Sequence, residues 1–230
     1  VSEPMIGRMR LQFWRDAVPG VMAGAPPAHA VAEPLTTCVA RAGISEQELT
    51  ALIDARETDL DDIPPRDLTA FEDYAEQTSS SVMAMALRVL GEDPAHHDGL
   101  LRSAGIAVAM VGLVRAIPFM AQAGRVTLPA DLCARAGLDP AQPHQWPQNP
   151  DLSDITGPLL TAAESHLQAA RDEGRTISRT ALPAFLPLSL SAVYLKGLRR
   201  TGGDPARYAA RPPGVKRPLT VFWRSMLGRP

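Results

Sequence analysis

GLLRSAGIAVAMVGLVRAI, residues 99–117, decides how this chain folds. The stretch is apolar on almost every side and is interrupted only by Arg102, Ser103 and Arg115. A helix that is apolar all round has to be covered all round, so the segment predicts a central helix with others packed about it. Its charge-free core, residues 104–114, falls well short of the roughly 20 residues that cross a bilayer.

The flanking sequence supplies those other helices. Upstream, Asp67 or Thr69 opens a helix that runs to Leu90 and stops at Gly91, with Val82, Ala86, Val89 and Leu90 on one face. Residues 59–65 contain Pro64-Pro65 and are a loop. Before them, Ser45 and Glu48 form a capping-box pattern opening a helix to about Thr58, and Gly43 closes a helix over residues 31–42. Residues 6–18 predict an amphipathic helix that Pro19-Gly20 stops. Downstream, short helices or loops cover 131–150, and helices cover 151–172 and 184–200. No strand alternation interrupts this, and the expected class is all-α. One large helical domain is expected over residues 1–200, with a basic tail over 201–230.

Composition narrows the function. The chain has 230 residues, 45% of them hydrophobic, and a net charge of −2, which excludes a dedicated nucleic-acid binder. Residues 196–230 nevertheless hold nine Lys or Arg and one acidic residue, against 14 basic and 24 acidic residues elsewhere. The tail, with Lys196, Arg199, Arg200, Lys216 and Arg217, is either a solvated segment or a surface for anionic lipid. Cys38 and Cys133 are the only cysteines and make neither a disulfide framework nor a zinc site. No signal sequence is visible, and the missing initial Met marks Val1 as a cut point with residues upstream.

The polar motifs are weak as chemistry. Asp54, Glu57, Asp59, Asp61 and Asp62 form an acidic run that leads into the Pro-Pro loop, so they read as a solvated helix end rather than a Mg²⁺ site. His96-His97-Asp98 has no partner ligand at helical spacing. Ser165 and His166 are adjacent and cannot face each other on a helix. Arg115 stands apart. A lone Arg on an apolar helix needs a partner. Either Arg115 and Arg125 together grip a diphosphate or phospholipid head group, or Arg115 pairs with an acid on a neighbouring helix.

Residues 104–129 resemble the second signature of squalene/phytoene synthases without a gap. Arg115, Gly124, Arg125, Leu128 and Pro129 match it. The family's Gln and Asn positions are Ala109 and Gly112, its two aspartates are Ala116 and Met120, and the acid between them is Phe119. Those aspartates hold Mg²⁺ against the substrate diphosphate, so the resemblance implies a site lacking half its ligands. Glu76 occupies the position of an active-site Tyr, and the first aspartate motif is placed before Val1.

Several motifs more closely resemble the mitochondrial complex I assembly factor 6 group of that family. They are residues 1–3 with Ile6-Gly7 and Arg10-Leu11-Gln12-Phe13-Trp14, residues 54–62, Tyr74-Ala75-Glu76 with Ser80-Ser81, residues 111–118 and 125–133, and His166-Leu167 with Ala170-Arg171. Pro183-Ala184-Phe185-Leu186 and Trp223-Arg224 extend the series. The resemblance implies an isoprenoid-synthase-type helical bundle with a central cavity. It implies a non-catalytic protein without cofactor that aids respiratory complex I assembly, with complex I subunits or other assembly factors as partners, and a prenyl or phospholipid ligand in the cavity. The implied location is the matrix side of the mitochondrial inner membrane in a eukaryote, and the cytoplasm or the face of the inner membrane in a bacterium. The alternative is a Mg²⁺-dependent head-to-head prenyltransferase of isoprenoid biosynthesis.

Overall fold

The computed structural model of the chain describes residues 4–60, 63–124, 126–147, 150–210 and 216–228. All regular structure among them is helical, in eleven α-helices with short 3₁₀ and π turns. In chain order these are α1 (Pro4–Met22), α2 (Ala32–Ala42), α3 (Glu46–Glu57), α4 (Leu68–Ala75), α5 (Ser81–Val89) and α6 (Asp98–Gln122). They continue as α7 (Ala130–Arg135), α8 (Ser153–Glu173), α9 (Leu182–Arg199), α10 (Pro205–Ala209) and α11 (Lys216–Leu227).

The segment that opened the sequence reading is the core of α6. It packs along its length on α8, and also on α9, α10 and the turn between α4 and α5. Ala104, Ile106, Ala107, Met110 and Val114 on it have no exposed surface. By length and composition residues 94–122 make a helix able to cross a membrane, longer than the sequence reading allowed. Its coat of neighbouring helices makes it the core helix. A smaller cluster, Val21, Ala32, Val39 and Ile44, joins α1 and α2 with Trp14, Leu49 and Met85 against it.

Local signals account for most boundaries. Ser45 and Glu48 form both halves of the capping box that opens α3, and Gly43 closes α2 at φ 62°. Asp67 caps α4 through the Ala70 amide at 2.9 Å. The helix expected as one piece from there to Leu90 instead contains a π-helical turn, Glu76–Ser80. The expected stop at Pro19 does not occur either, because α1 runs on to Met22. A proline in the last turn forfeits one hydrogen bond, and burial of Ala17, Val18 and Val21 holds that turn in place. The chain turns back after Met22, and its return passes Gly20, where a Cβ would stand 2.7 Å from the Ala25 carbonyl oxygen.

Residues from 201 onward are not simply a tail. Thr201 is buried and its hydroxyl donates to the Leu198 carbonyl at 2.8 Å. Asp204 caps α10 through the amides of Ala206 and Arg207, and Tyr208 packs over Gly197 in α9. Residues 201–210 therefore belong to the body, with α10 packed on the central helix α6. Arg199 is committed to Glu164 at 2.8 Å and to the Thr161 hydroxyl at 3.0 Å, while Lys196 and Arg200 are exposed. The side chains of Lys216 and Arg217 lie outside the described residues.

Two glycines of α6 have opposite meanings. At Gly105 a Cβ would lie 2.6 Å from the amide nitrogen of Ser80 and 2.7 Å from its Cα, so backbone meets backbone there. At Gly112 a Cβ would meet nothing within 4 Å. Gly105→Ala should lower stability by about 1–3 kcal/mol through forced separation of α6 from the π turn. Gly112→Ala should raise it by up to about 1 kcal/mol through helix propensity alone. Urea unfolding of the two variants beside the parent checks both signs.

Candidate functional site: a cavity between the first helices and α6

The open space beside Gly112 belongs to a cavity of about 700 Å³. One wall is a stripe of α6 made of Ala109, Gly112, Leu113, Ala116 and Met120, continued by Ala123 just past its end. These positions repeat at three or four residues and so share a helix face. Their small side chains leave the room. Gly7, Leu11 and Trp14 of α1, with Leu60 and Phe71, supply the apolar remainder. The polar lining consists of Arg10, Arg56, Asp59, Tyr74, Thr78, Ser79 and Thr127. A mainly apolar hollow with a few convergent polar groups is the usual form of a small-molecule site.

Three of the polar groups form one unit. The Tyr74 hydroxyl donates to Asp59 Oδ1 at 2.5 Å. Arg56 Nη1 donates to the Tyr74 oxygen at 3.0 Å and to Asp59 Oδ2 at 3.2 Å. Burial, reinforced by the hydrogen bond to Asp59 and the charge of that carboxylate, pushes the Tyr74 phenol well above its ordinary range, against an opposing pull from Arg56. Thr78 is buried and satisfied by the Tyr74 carbonyl at 2.8 Å.

The acidic run upstream is also consumed by pairing. Arg15 of α1 reaches Asp54 at 2.6 Å and Glu57 at 2.7 Å, which ties α1 to α3. Asp61 and Asp62 lie outside the described residues. Among the described residues no group of three or more His, Cys, Asp or Glu is placed to hold a metal ion. Among the described residues the one carboxylate that lines the cavity is Asp59, and it is held by Tyr74 and Arg56. That described donor set does not fit Mg²⁺, which needs several free oxygen ligands.

The structure sorts the residues singled out from the sequence. Ala109, Gly112, Ala116 and Met120 all line the cavity. Glu76 does not; it lies on the flank of the π turn and accepts from Arg102 Nε at 3.0 Å. Arg102 also approaches Glu72 at 4.0 Å, and Glu72 bonds His166 at 3.1 Å, so Glu76 belongs to a network that knits α4, α6 and α8. Tyr74, two residues earlier, is the cavity residue of that motif.

Arg115 is turned away as well. It follows Val114 by about 100° around the helix, and its guanidinium sits 3.6 Å over the Tyr194 ring of α9. The aromatic face of Tyr194 is thus the partner that the structure gives this guanidinium. Its Nε is buried without a hydrogen bond. Arg125 lies outside the described residues. Among the described residues the arginines that reach the cavity are Arg10 and Arg56. Both stand within motifs that resemble the family, but nothing in those motifs assigned them to a site; Thr78 and Ser79 were not singled out either, and only the α3–α4 crossing brings these residues together.

Comparison with known proteins agrees with this architecture. Residues 1–219 match the squalene/phytoene synthase family. The chain is 33% identical over 225 residues to the NADH dehydrogenase (ubiquinone) complex I assembly factor 6 of Rattus norvegicus, covering 98% of this chain and 68% of that protein. The Homo sapiens protein of the same name is 31% identical over the same share. A presqualene diphosphate synthase of Rhodopseudomonas palustris is 29% identical over 163 residues, which is 70% of this chain and 57% of that one. Among solved structures, a dehydrosqualene synthase superposes with a TM-score of 0.75 at 17% identity, covering 98% of this chain and 82% of the other. A squalene synthase from Alicyclobacillus acidocaldarius gives a TM-score of 0.71 at 16% identity, over 85% and 74%. The fold is that of the isoprenoid synthases.

The Tyr74 geometry sets a pH dependence. The unfolded chain loses the Tyr74 proton near pH 10.0 while the folded chain keeps it. The folded state then binds more protons, so this contribution to stability is present below pH 10.0 and is lost as pH rises beyond it. Urea midpoints measured from neutral to alkaline pH should fall more steeply for the parent than for Tyr74→Phe.

Proposed function

Because this chain belongs to the squalene/phytoene synthase family, with a cavity wall of Ala109, Gly112, Ala116 and Met120, we propose that it is a non-catalytic member that aids assembly of respiratory complex I. The similarity to assembly factor 6 proteins over 98% of the chain carries this reading. Its partners are then components of complex I or other assembly factors, and its place of work is the membrane where that complex is built.

The cavity supports the second half of the reading. In the enzymes that these motifs resemble, catalysis draws on metal ions that neutralise a departing diphosphate. Here the corresponding face of α6 offers methyl groups, a glycine and a thioether, which suit the body of a prenyl or phospholipid chain. Arg10, rather than Arg115 or the Asp59-paired Arg56, is the described cation in the cavity lining that suits an anionic head group. The cavity then serves binding, as a built-in ligand or a sensor of membrane lipid.

Deletion of the gene in its own organism, followed by native-gel measurement of assembled complex I, tests the assembly role. The complex should fall several-fold and return with the parent gene; an unchanged level would sink the proposal. Gly112→Leu with Ala116→Leu, which fills the cavity from an open face, should restore assembly poorly if the ligand matters.

The similarity to presqualene diphosphate synthase favours one rival, a Mg²⁺-dependent prenyltransferase. Incubation of the full-length protein with farnesyl or geranylgeranyl diphosphate should release no pyrophosphate above a Mg²⁺-free control. Clear Mg²⁺-dependent turnover would replace the non-catalytic reading with the enzymatic one.

A further inference from the structure

Fifteen large hydrophobic side chains are exposed among the described residues, and five of them fall within nine residues of α11. Leu219, Phe222, Trp223, Met226 and Leu227 are 50–66% exposed. Their spacing is that of a single helix face, and at 3.6 residues per turn they occupy an arc of about 140°. A helix that packed this stripe inward would bury it. Instead α11 leans on α9, with Thr220 and Val221 half-buried, and the apolar stripe faces out.

The charge of the segment specifies what the stripe meets. The sequence from 205 to 230 contains Arg207, Arg211, Lys216, Arg217, Arg224 and Arg229, and no acidic residue. The rest of the chain is acidic on balance, so this end is electrostatically distinct. A protein partner needs local charge matching and hydrogen-bonding groups around an apolar centre. An arc that combines Trp, Phe, Leu and Met, on a helix with cations of one sign, instead matches a surface that is uniformly anionic outside and apolar beneath. That surface is a bilayer containing anionic lipid. Trp suits the boundary itself, because its ring is apolar and its N–H remains hydrated.

We infer that α11 is an interfacial anchor. It lies in the plane of an anionic membrane with Leu219, Phe222, Trp223, Met226 and Leu227 inserted among the lipid head groups. The helices of the cavity stay in water on this account, and the apolar stripe rather than the basic charge alone provides the hold. Lys196, Arg199 and Arg200 are not part of the device, since they belong to α9 and the residue that ends it, and Arg199 is already paired with Glu164.

The test is flotation of the purified chain with vesicles of phosphatidylcholine alone or mixed with phosphatidylglycerol. The parent should float with the anionic vesicles and at least about tenfold less with the neutral ones. Leu219→Ser/Phe222→Ser/Trp223→Ser should lose at least about tenfold in binding to anionic vesicles. Its circular dichroism should remain helical, because the altered side chains are exposed. Trp emission should shift to the blue on binding in the parent and not in Trp223→Phe. Lys216→Glu/Arg217→Glu should weaken binding while leaving the neutral-vesicle background alone. A folded parent that ignores anionic vesicles, or a triple Ser variant that binds them as tightly as the parent, overturns the inference. So does a parent dimer that the triple variant turns into monomer while neither binds lipid, since the stripe would then be a protein contact. The readout uses lipid and this chain only, so its failure leaves the complex I assembly reading to its own experiment.

Discussion

Gly105 presents no side chain to Ser80, whose hydroxyl and backbone close directly on α6, and the layout of the molecule follows from that contact. The approach brings the π turn onto the central helix, and Thr78 and Ser80 are buried in consequence. Both hydroxyls find main-chain acceptors, at the Tyr74 and Arg102 carbonyls, so the burial leaves no polar debt. From this point α6 and the α3–α4 layer diverge. Ala109, Gly112 and Ala116 lie one to three turns farther on, and there the gap has become a cavity.

The cavity has two ends of different chemistry. The α6 wall is small and apolar, while the opposite side carries the Arg56–Asp59–Tyr74 unit, whose members satisfy one another. A carboxylate already bound by a phenol and a guanidinium is a poor metal ligand but a good structural tie. It fixes Tyr74 in one orientation and connects the end of α3 to α4. Arg15 performs a similar task between α1 and α3 by pairing with Asp54 and Glu57. Asp54, Glu57 and Asp59, expected from the sequence at a solvated helix end, are thus spent on holding the helices that wall the hollow.

The candidate site was only partly legible in the sequence. The α6 positions could be found, because motif order puts Ala109, Gly112, Ala116 and Met120 in register and helical spacing puts them on one face. Glu76 and Arg115, singled out from the motifs, both lie off the cavity lining. Glu76 begins the π turn and pairs with Arg102. Arg115 demanded a partner on physical grounds, but its solution, the Tyr194 ring, lies 79 positions away on α9 and leaves no local trace. Arg56 lay within a resembling motif, but its role was not legible there, since it arises from meeting Tyr74 across two helices.

The sequence by itself determined the class and the order of the helices. An all-apolar segment must be central, Gly43 and the Ser45–Glu48 box must end and begin helices, and the paired prolines must break the chain, because these are constraints within a few residues of backbone. It also determined which end of the chain is basic. Tertiary structure alone decided that residues 201–210 join the body, where α10 packs on α6 and Gly203 lies against Thr156 and Leu160 of α8. It alone decided that α1 outlasts Pro19, and which side of α11 is left bare. Each of those outcomes depends on what a distant helix covers, and burial by a distant helix is not written in the spacing of neighbouring residues.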